Sequence, residues 1–256
     1  MIKKLVSIII PFYNRIHLVE KALESAMNQT YLNKEIILID DGSTESTENI
    51  HHIVKEYPNI FILKNRYNRG VSYSRNLGIA YSKGEYIAFL DSDDEWMDFK
   101  VQLQMDYIFK HDIDFIYTAY KRKNRNSSSF STVSIPKEYK MPFMVFSCKI
   151  ATPTVLYKKI ISKGIHFNNN IRYGEDIIFW SKISKNAKLF GLNIPTTIVN
   201  VSNNSTSQSI SNLKKAYKCM NEELFPQNSL ISKIHYLYIN LKLSIKSFFI
   251  FISKNF

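Results

Sequence analysis

Tyr86-Ile87-Ala88-Phe89-Leu90-Asp91-Ser92-Asp93-Asp94 is an apolar run that stops on three carboxylates within four residues. The run predicts a buried β-strand. Its acidic end has two readings, a cation site or a solvated turn into a helix, where Asp also serves as an N-cap. Carboxylates this close raise one another's pKa, and a hard divalent cation such as Mg2+ or Mn2+ relieves that repulsion by taking oxygen ligands. By itself the stretch does not choose between them.

Upstream, Leu5 to Ile10 reads as a buried, β-branched strand ended by Pro11. Asn14 is placed to cap a helix carrying Val19, Ala22, Leu23, Ala26 and Met27 at helical spacing. Glu35 to Ile39 reads as a second strand closing on Asp40-Asp41-Gly42-Ser43. A helix through Ile50, Ile53, Val54 and Tyr57, a strand at Ile60 to Leu63, a turn at Asn68-Arg69-Gly70 and a helix at Val71 to Ser82 follow. Downstream, the pattern predicts a helix from about Met97 to Lys110 and a strand near Ile113 to Ala119. Strands alternating with such helices imply βαβ units and a parallel sheet, which binds ligands outside the carboxyl ends of its strands. Pro11-Phe12-Tyr13-Asn14, Asp40-Asp41 and Asp91-Ser92-Asp93-Asp94 all follow strand ends. Three polar clusters far apart in the chain are therefore expected on one edge.

At 256 residues the chain can bury one large core, or a core and a smaller subdomain. Its net charge of +12 admits an anionic partner, nucleic acid or membrane surface. It also admits a simple bias toward Lys, Asn, Ile, Tyr and Phe. No nucleic-acid-binding signature accompanies the charge, so no nucleic-acid partner is expected. Two cysteines without a C-x-x-C, Cys148 and Cys219, exclude a disulfide scaffold and a zinc ribbon and fit a reducing cytosol. The first apolar run stops at Pro11 without a cleavage site, and no stretch of ~18 apolar residues exists. Neither a secretory signal nor a spanning helix is expected. Lys121 to Thr132 reads as an exposed basic loop, Met141 to Phe146 as apolar, and Asp176 to Asn186 as a helix. Ser229 to Phe256 mixes Lys with bulky apolar residues. It reads equally as a helix lying in a membrane interface or as one packed on the rest of the protein.

Four motifs stand in order: Val6-Ser7-Ile8-Ile9-Ile10-Pro11-Phe12-Tyr13-Asn14, Ile39-Asp40-Asp41-Gly42-Ser43-Thr44, Asn68-Arg69-Gly70-Val71-Ser72-Tyr73-Ser74-Arg75-Asn76-Leu77-Gly78, and Gly84 through Asp94. Together they resemble a family 2 glycosyltransferase of the GT-A fold, of the inverting, bacterial surface-polysaccharide type. The likeness runs from residue 5 to about 100 and resumes at Gly174-Glu175-Asp176. It implies an α/β fold, a Rossmann-like, mostly parallel sheet flanked by helices. A nucleotide-sugar part over 1–100, an acceptor and catalytic-base part over 101–212 and a basic helical tail over 213–256 would make up the chain.

The same resemblance implies metal-dependent, inverting transfer of a hexose from a UDP-sugar to a hydroxyl of a growing glycan, lipid-linked O-antigen, capsule or lipooligosaccharide. It places Pro11, Tyr13, Asn14, Asp41, Arg75, Asp91 and Ser92 at the nucleotide-sugar, with Tyr13 beside the uracil and Asp41 on its imide N–H. Asp40 would orient its turn. Asp93, with Asp94 close by, would hold Mn2+ or Mg2+. Asp176 would be the general base and Glu175 would orient the acceptor. Trp180 reads equally as a pocket wall or a core residue. Many relatives carry a metal-binding His after the last strand, but Val199 to Ser207 has none, which leaves Asn, Ser or water for that position. A polyprenyl-linked acceptor and a cytoplasmic protein touching the inner membrane face through 229–256 follow from the resemblance. The rival reading is a non-catalytic basic module on membrane or nucleic acid, in which Asp93→Ala and Asp176→Ala would leave function intact.

Overall fold

The computed structural model describes residues 4–124, 129–139, 148–201, 210–226, 229–235 and 237–241. Its first four strands, β1 (Val6–Phe12), β2 (Lys34–Asp40), β3 (Ile60–Lys64) and β4 (Tyr86–Phe89), pair in parallel in the order β3-β2-β1-β4. Every residue of β1, β2 and β4 is buried, as expected for strands covered on both faces. The crossovers are α1 (Ile16–Met27), α2 (Glu48–Glu56) and α3 (Val71–Tyr81). Ile8 and Ile10 point into the core layer beneath α1, and Ile9 into the opposite layer, as the two-residue period of a strand requires.

Beyond β4 the sheet continues β9-β6-β10-β5. These strands are β5 (Glu95–Trp96), β6 (Phe115–Asn124), β9 (Leu156–Lys158) and β10 (Leu189–Val201). The short β9 runs antiparallel between β4 and β6. Helix α4 (Lys100–His111) connects β5 to β6, and β7 (Phe130–Val133) and β8 (Glu138–Tyr139) pair with β6 and β10. Helices α5 (Glu175–Ile183) and α6 (Ile210–Leu224), with helical residues 230–235 and 237–241, share a separate cluster through Ile178, Tyr217, Met220, Leu224 and Ile239. The described part of the tail therefore packs on the protein through one face.

Several expectations need correction. Pro11 does not end β1 but lies inside it, opposite Ile39. The Ile9 carbonyl faces β4 and the Phe12 carbonyl faces β2, so Pro11's missing donor falls on the β4 side, past the last residue paired there. Asn14 does not cap α1. The cap position is Arg15, and both residues are left-handed, at φ 55° and 56°. The Asn14 side chain turns instead to the loop after β2. The basic stretch from Lys121 is not a loop over its whole length. Lys121–Lys123 belong to β6 and pair with Phe130–Thr132 of β7, because Lys and Arg stems reach solvent while their backbone stays in the ladder. Met141–Phe146 lies outside the described residues.

Candidate active site

The carboxyl edge of β1, β2 and β4 is drawn together by side chains of the loops that follow each strand. At the end of β1, Asn14 Oδ1 accepts hydrogen bonds from the Thr44 and Glu45 N–H groups at 2.9 and 3.2 Å, and the Asn14 N–H donates to Ser43 Oγ at 2.8 Å. The loop after β2 is thereby fixed against the loop after β1. Asp40 is fully buried and accepts from the Ser43 N–H at 2.7 Å, which holds the turn. Gly42, at φ +79°, lies so close to Tyr67 that a Cβ there would stand 2.6 Å from the Tyr67 carbonyl carbon. Only glycine allows that approach.

Asp41 is buried, and its carboxylate accepts from Asn65 Nδ2 at 2.7 Å, the Arg69 N–H at 3.0 Å and the Gly70 N–H at 2.7 Å. A carboxylate has roughly four lone-pair sites, so one remains for a further donor. Asn65 Nδ2 also reaches Ser74 Oγ on α3 at 3.3 Å, which brings Asp41 into register with the next residue, Arg75.

Arg75 joins two motifs. Its guanidinium is buried and donates one hydrogen bond to Asp91 Oδ1 at 2.7 Å and another to Glu175 Oε1 at 2.9 Å. The two acids stand 16 and 100 residues away. Its carbon also lies 5.3 Å from the centre of the Phe167 ring. Burial opposes the cation, but Asp91 and Glu175 outweigh it and raise its pKa above the ordinary arginine value. A planar fork is what this double contact requires. Arg75 is therefore not a solvated helix charge.

Glu175 and Asp176 open α5 behind Gly174, which is left-handed at φ +78° and so near Met220 of α6 that a Cβ would meet its Cε at 2.0 Å. Asp176 retains partial solvent access, accepts the Ile177 N–H at 2.8 Å and receives a long contact from Thr152 Oγ1 at 3.4 Å. Burial first, then the charge of Glu175, pushes its pKa up to about 7, against the pull of Arg75 and the Ile177 N–H. A carboxylate that titrates near neutrality can take up a proton during a reaction.

On the other side of the β4 end, Asp93 and Ser92 are half-buried and Asp94 is buried. The Asn200 N–H of β10 donates to Asp94 Oδ1 at 2.8 Å, and Asn200 Nδ2 donates to the Asp93 carbonyl at 2.6 Å. Asn200 thus stands against the acidic motif in the stretch where no His occurs; residues 202–207 of that stretch lie outside the described residues. Tyr13 is 45% exposed beside these turns, and Pro11 is buried under them.

The profile described as Glycosyl transferase family 2 matches residues 7–174. The chain belongs to this family. Among relatives of this family 2 member, the Escherichia coli UDP-Glc:alpha-D-GlcNAc-diphosphoundecaprenol beta-1,3-glucosyltransferase WfaP is 36% identical over 205 residues, covering 80% of each chain. An uncharacterized glycosyltransferase of Rickettsia bellii is 37% identical over 210 residues. That match covers 79% of this chain but 29% of the relative, so the chain spans less than a third of that protein. Among solved structures, Staphylococcus aureus TarS 1-349 in complex with UDP-GlcNAc superimposes with a TM-score of 0.71 at 19% identity, covering 93% of this chain and 70% of that one. The fold is GT-A, as the motifs implied.

The acidic residues of this family member suit a hard cation of the Mg2+ type. Such ions are bound by one or two carboxylates together with substrate phosphates and water, not by an all-protein cage. Among the described residues no group of three His, Cys, Asp or Glu side chains is arranged to hold an ion unaided, and Asp93 is a half-buried oxygen donor at a strand end.

Sequence reasoning missed several neighbours of the site. His17 and Lys21 of α1 and Lys123 of β6 line, with Asp93, Asp94 and Asn200, an open cavity of about 320 Å3. For His17 and Lys21, spacing one turn apart on α1 was the only signal. Thr152 beside Asp176 had none. Its turn hangs from the Trp96 indole, which donates to the Pro153 carbonyl at 2.7 Å, and from Gln104 Nε2, which donates to the Thr154 carbonyl at 2.8 Å. Trp180 is fully buried against Phe89, Phe115, Tyr157 and Phe179, and is a core residue.

Proposed function

We propose that the protein is an inverting hexosyltransferase that moves a sugar from a UDP-sugar to a hydroxyl of a lipid-linked glycan in bacterial surface-polysaccharide assembly. The observation that carries this reading is the buried Arg75 fork between Asp91 and Glu175, which ties the donor-side motif to the acid pair that opens α5. In this reading residues 1–100 bind the nucleotide-sugar, 101–212 supply acceptor contacts and the base, and 213–256 form the tail.

Tyr13 offers its exposed ring to the uracil face, and the open lone pair of Asp41 takes the imide N–H. Pro11 and Asn14 shape the turn under the base, while Asp91 and Ser92 face the ribose and Arg75 neutralises the strand end from below. A divalent cation, Mn2+ or Mg2+, on Asp93 with Asp94 close by would stabilise the negative charge of the leaving diphosphate. Asp176 takes the acceptor hydroxyl's proton as the oxygen attacks the anomeric carbon, and a single displacement of this kind inverts the centre. Glu175, paired with Arg75, orients the acceptor beside the base.

WfaP, named for transfer of glucose to GlcNAc-diphosphoundecaprenol, suggests UDP-glucose and a polyprenyl-diphosphate acceptor as first candidates. No helix among the described residues is long and apolar enough to cross a membrane, and the proposed location is peripheral, at the inner face of the cytoplasmic membrane. The test is UDP release over a panel of UDP-sugars with a GlcNAc-diphospholipid acceptor, with and without EDTA. Release with one donor, abolished by EDTA and restored by Mn2+ or Mg2+, is expected. Turnover untouched by chelation overturns the metal assignment, and no release with any UDP-sugar overturns the donor class.

A further inference from the structure

The helical residues after α6 bury one face on α6 and leave a second, apolar face exposed. Ser232, His235 and Ile239 are buried toward α6. Asn221 fixes that orientation by donating to Ser232 Oγ at 2.8 Å and meeting His235 Nδ1 at 3.1 Å, and the Phe225 ring stands 5.3 Å from the His235 ring. On the far side, Leu230, Ile234, Leu237 and Leu241 recur at i, i+4, i+7 and i+11, the repeat of a single helix face. They are 73%, 48%, 68% and 62% exposed. The inner contacts prevent this stripe from rolling inward.

Charge and size say what covers it. Lys233 is exposed beside the stripe, and α6 exposes Lys214 and Lys215 together with a Lys218–Glu222 pair. After Glu223 the sequence contains no Asp or Glu, while Lys233, Lys242, Lys246 and Lys254 follow. A protein partner that stays bound takes roughly 20–30 residues a side, far more than four side chains supply. A predominantly basic border around a narrow apolar stripe is complementary to an anionic lipid surface, with the apolar residues at the acyl boundary and the lysines at the headgroups.

We propose that the face carrying Leu230, Ile234, Leu237 and Leu241 docks on an anionic bilayer surface. This inference rests on the reading above in one respect: a lipid-borne acceptor gives the docking its purpose.

The test is co-sedimentation of the full chain with vesicles of phosphatidylcholine containing phosphatidylglycerol, against pure phosphatidylcholine. Binding to the anionic vesicles, weakened by salt, is expected, and Ile234→Glu/Leu237→Glu should reduce it by ~tenfold or more, since each buried methylene contributes ~0.8 kcal/mol. UDP affinity of the double variant should match the wild type. Ile234→Gln/Leu237→Gln, with its thermal unfolding, guards against a folding defect and should weaken binding at an unchanged melting temperature. Vesicle binding equal in wild type and both variants overturns the proposal. So does a wild-type dimer that the variants convert to monomer, or a drop in melting temperature with vesicle binding intact, which would mark the stripe as covered by a second copy or by the chain itself. Failure of the wild type to bind UDP would instead sink the catalytic reading and leave the vesicle result standing.

Discussion

The loop after β2 and the first turn of α5 each carry an aspartate at the edge of the sheet, and they treat it in opposite ways. Asp41 accepts three N–H donors, two from the backbone and one from Asn65. Asp176 accepts one backbone N–H and a 3.4 Å hydroxyl contact, beside a second carboxylate. At Asp176 burial and the like charge of Glu175 disfavour the charged form. The same functional group is thus a hydrogen-bond acceptor that holds a turn at Asp41 and a group ready to take a proton at Asp176.

Removing the proton acceptor breaks the comparison most severely. Asp176→Asn should lower transfer by roughly 10²–10⁴-fold, the usual contribution of a general base, while calorimetry finds UDP affinity unchanged. Lost UDP affinity would mean that Asp176 serves the donor instead. The pH dependence follows from the same residue. Wild-type turnover should fall as pH drops below about 7, where Asp176 becomes protonated. The folded-state pKa lies above the unfolded value, so the native state binds this proton more tightly. Asp176 then favours folding at low pH, and that contribution is lost as pH rises through about 7. Asp176→Asn should consequently melt at a higher temperature than wild type at alkaline pH, with the difference closing toward acid.

Arg75 sharpens the comparison, since it stabilises the charged form of Asp176. Breaking a buried ion pair costs about 3–5 kcal/mol. Arg75→Gln should lower stability by that order in denaturant titrations and shift the acid limb of the pH–rate profile upward. Arg75→Lys keeps the charge but not the fork, so its acid limb should stay nearer to wild type at reduced stability. An unmoved limb in Arg75→Gln would uncouple the two residues.

The smallest effect is expected at Asp41. Asp41→Ala leaves the Arg69 and Gly70 N–H groups without their acceptor, which costs ~1–3 kcal/mol for a buried donor. Thermal unfolding should register the loss, and UDP affinity should weaken while the acid limb of the pH profile stays in place. A shifted limb would contradict the division of roles between the two aspartates.

These contrasts also mark what could be read in the chain. Strands β1, β2 and β4 were legible because both faces are buried and each carries an apolar run, Ile8–Ile10, Ile36–Ile39 and Tyr86–Phe89, and α1 because Val19, Ala22, Leu23 and Ala26 keep helical spacing. The three-residue β9 was not, because a strand that short leaves no periodicity and its antiparallel place between β4 and β6 depends on partners far along the chain. The residue types of the site were visible at Asp41, Asp91–Asp94 and Glu175–Asp176. Their environments were not. Arg75 was assigned to the nucleotide side without its two acids because those lie on other elements, and Asn14 looked like a cap because Ser43, which it holds, lies 29 residues later. Local pattern names elements, whereas burial and pKa come from contacts between them.

The most direct measurement is a structure of the protein with Mn2+ and an intact UDP-sugar. The account predicts the uracil against Tyr13 and Asp41, the ribose at Asp91, the diphosphate on a cation held by Asp93, and the anomeric carbon facing the carboxylate of Asp176. A sugar directed away from Asp176, or a nucleotide bound elsewhere than the Asp41 turn, would contradict it.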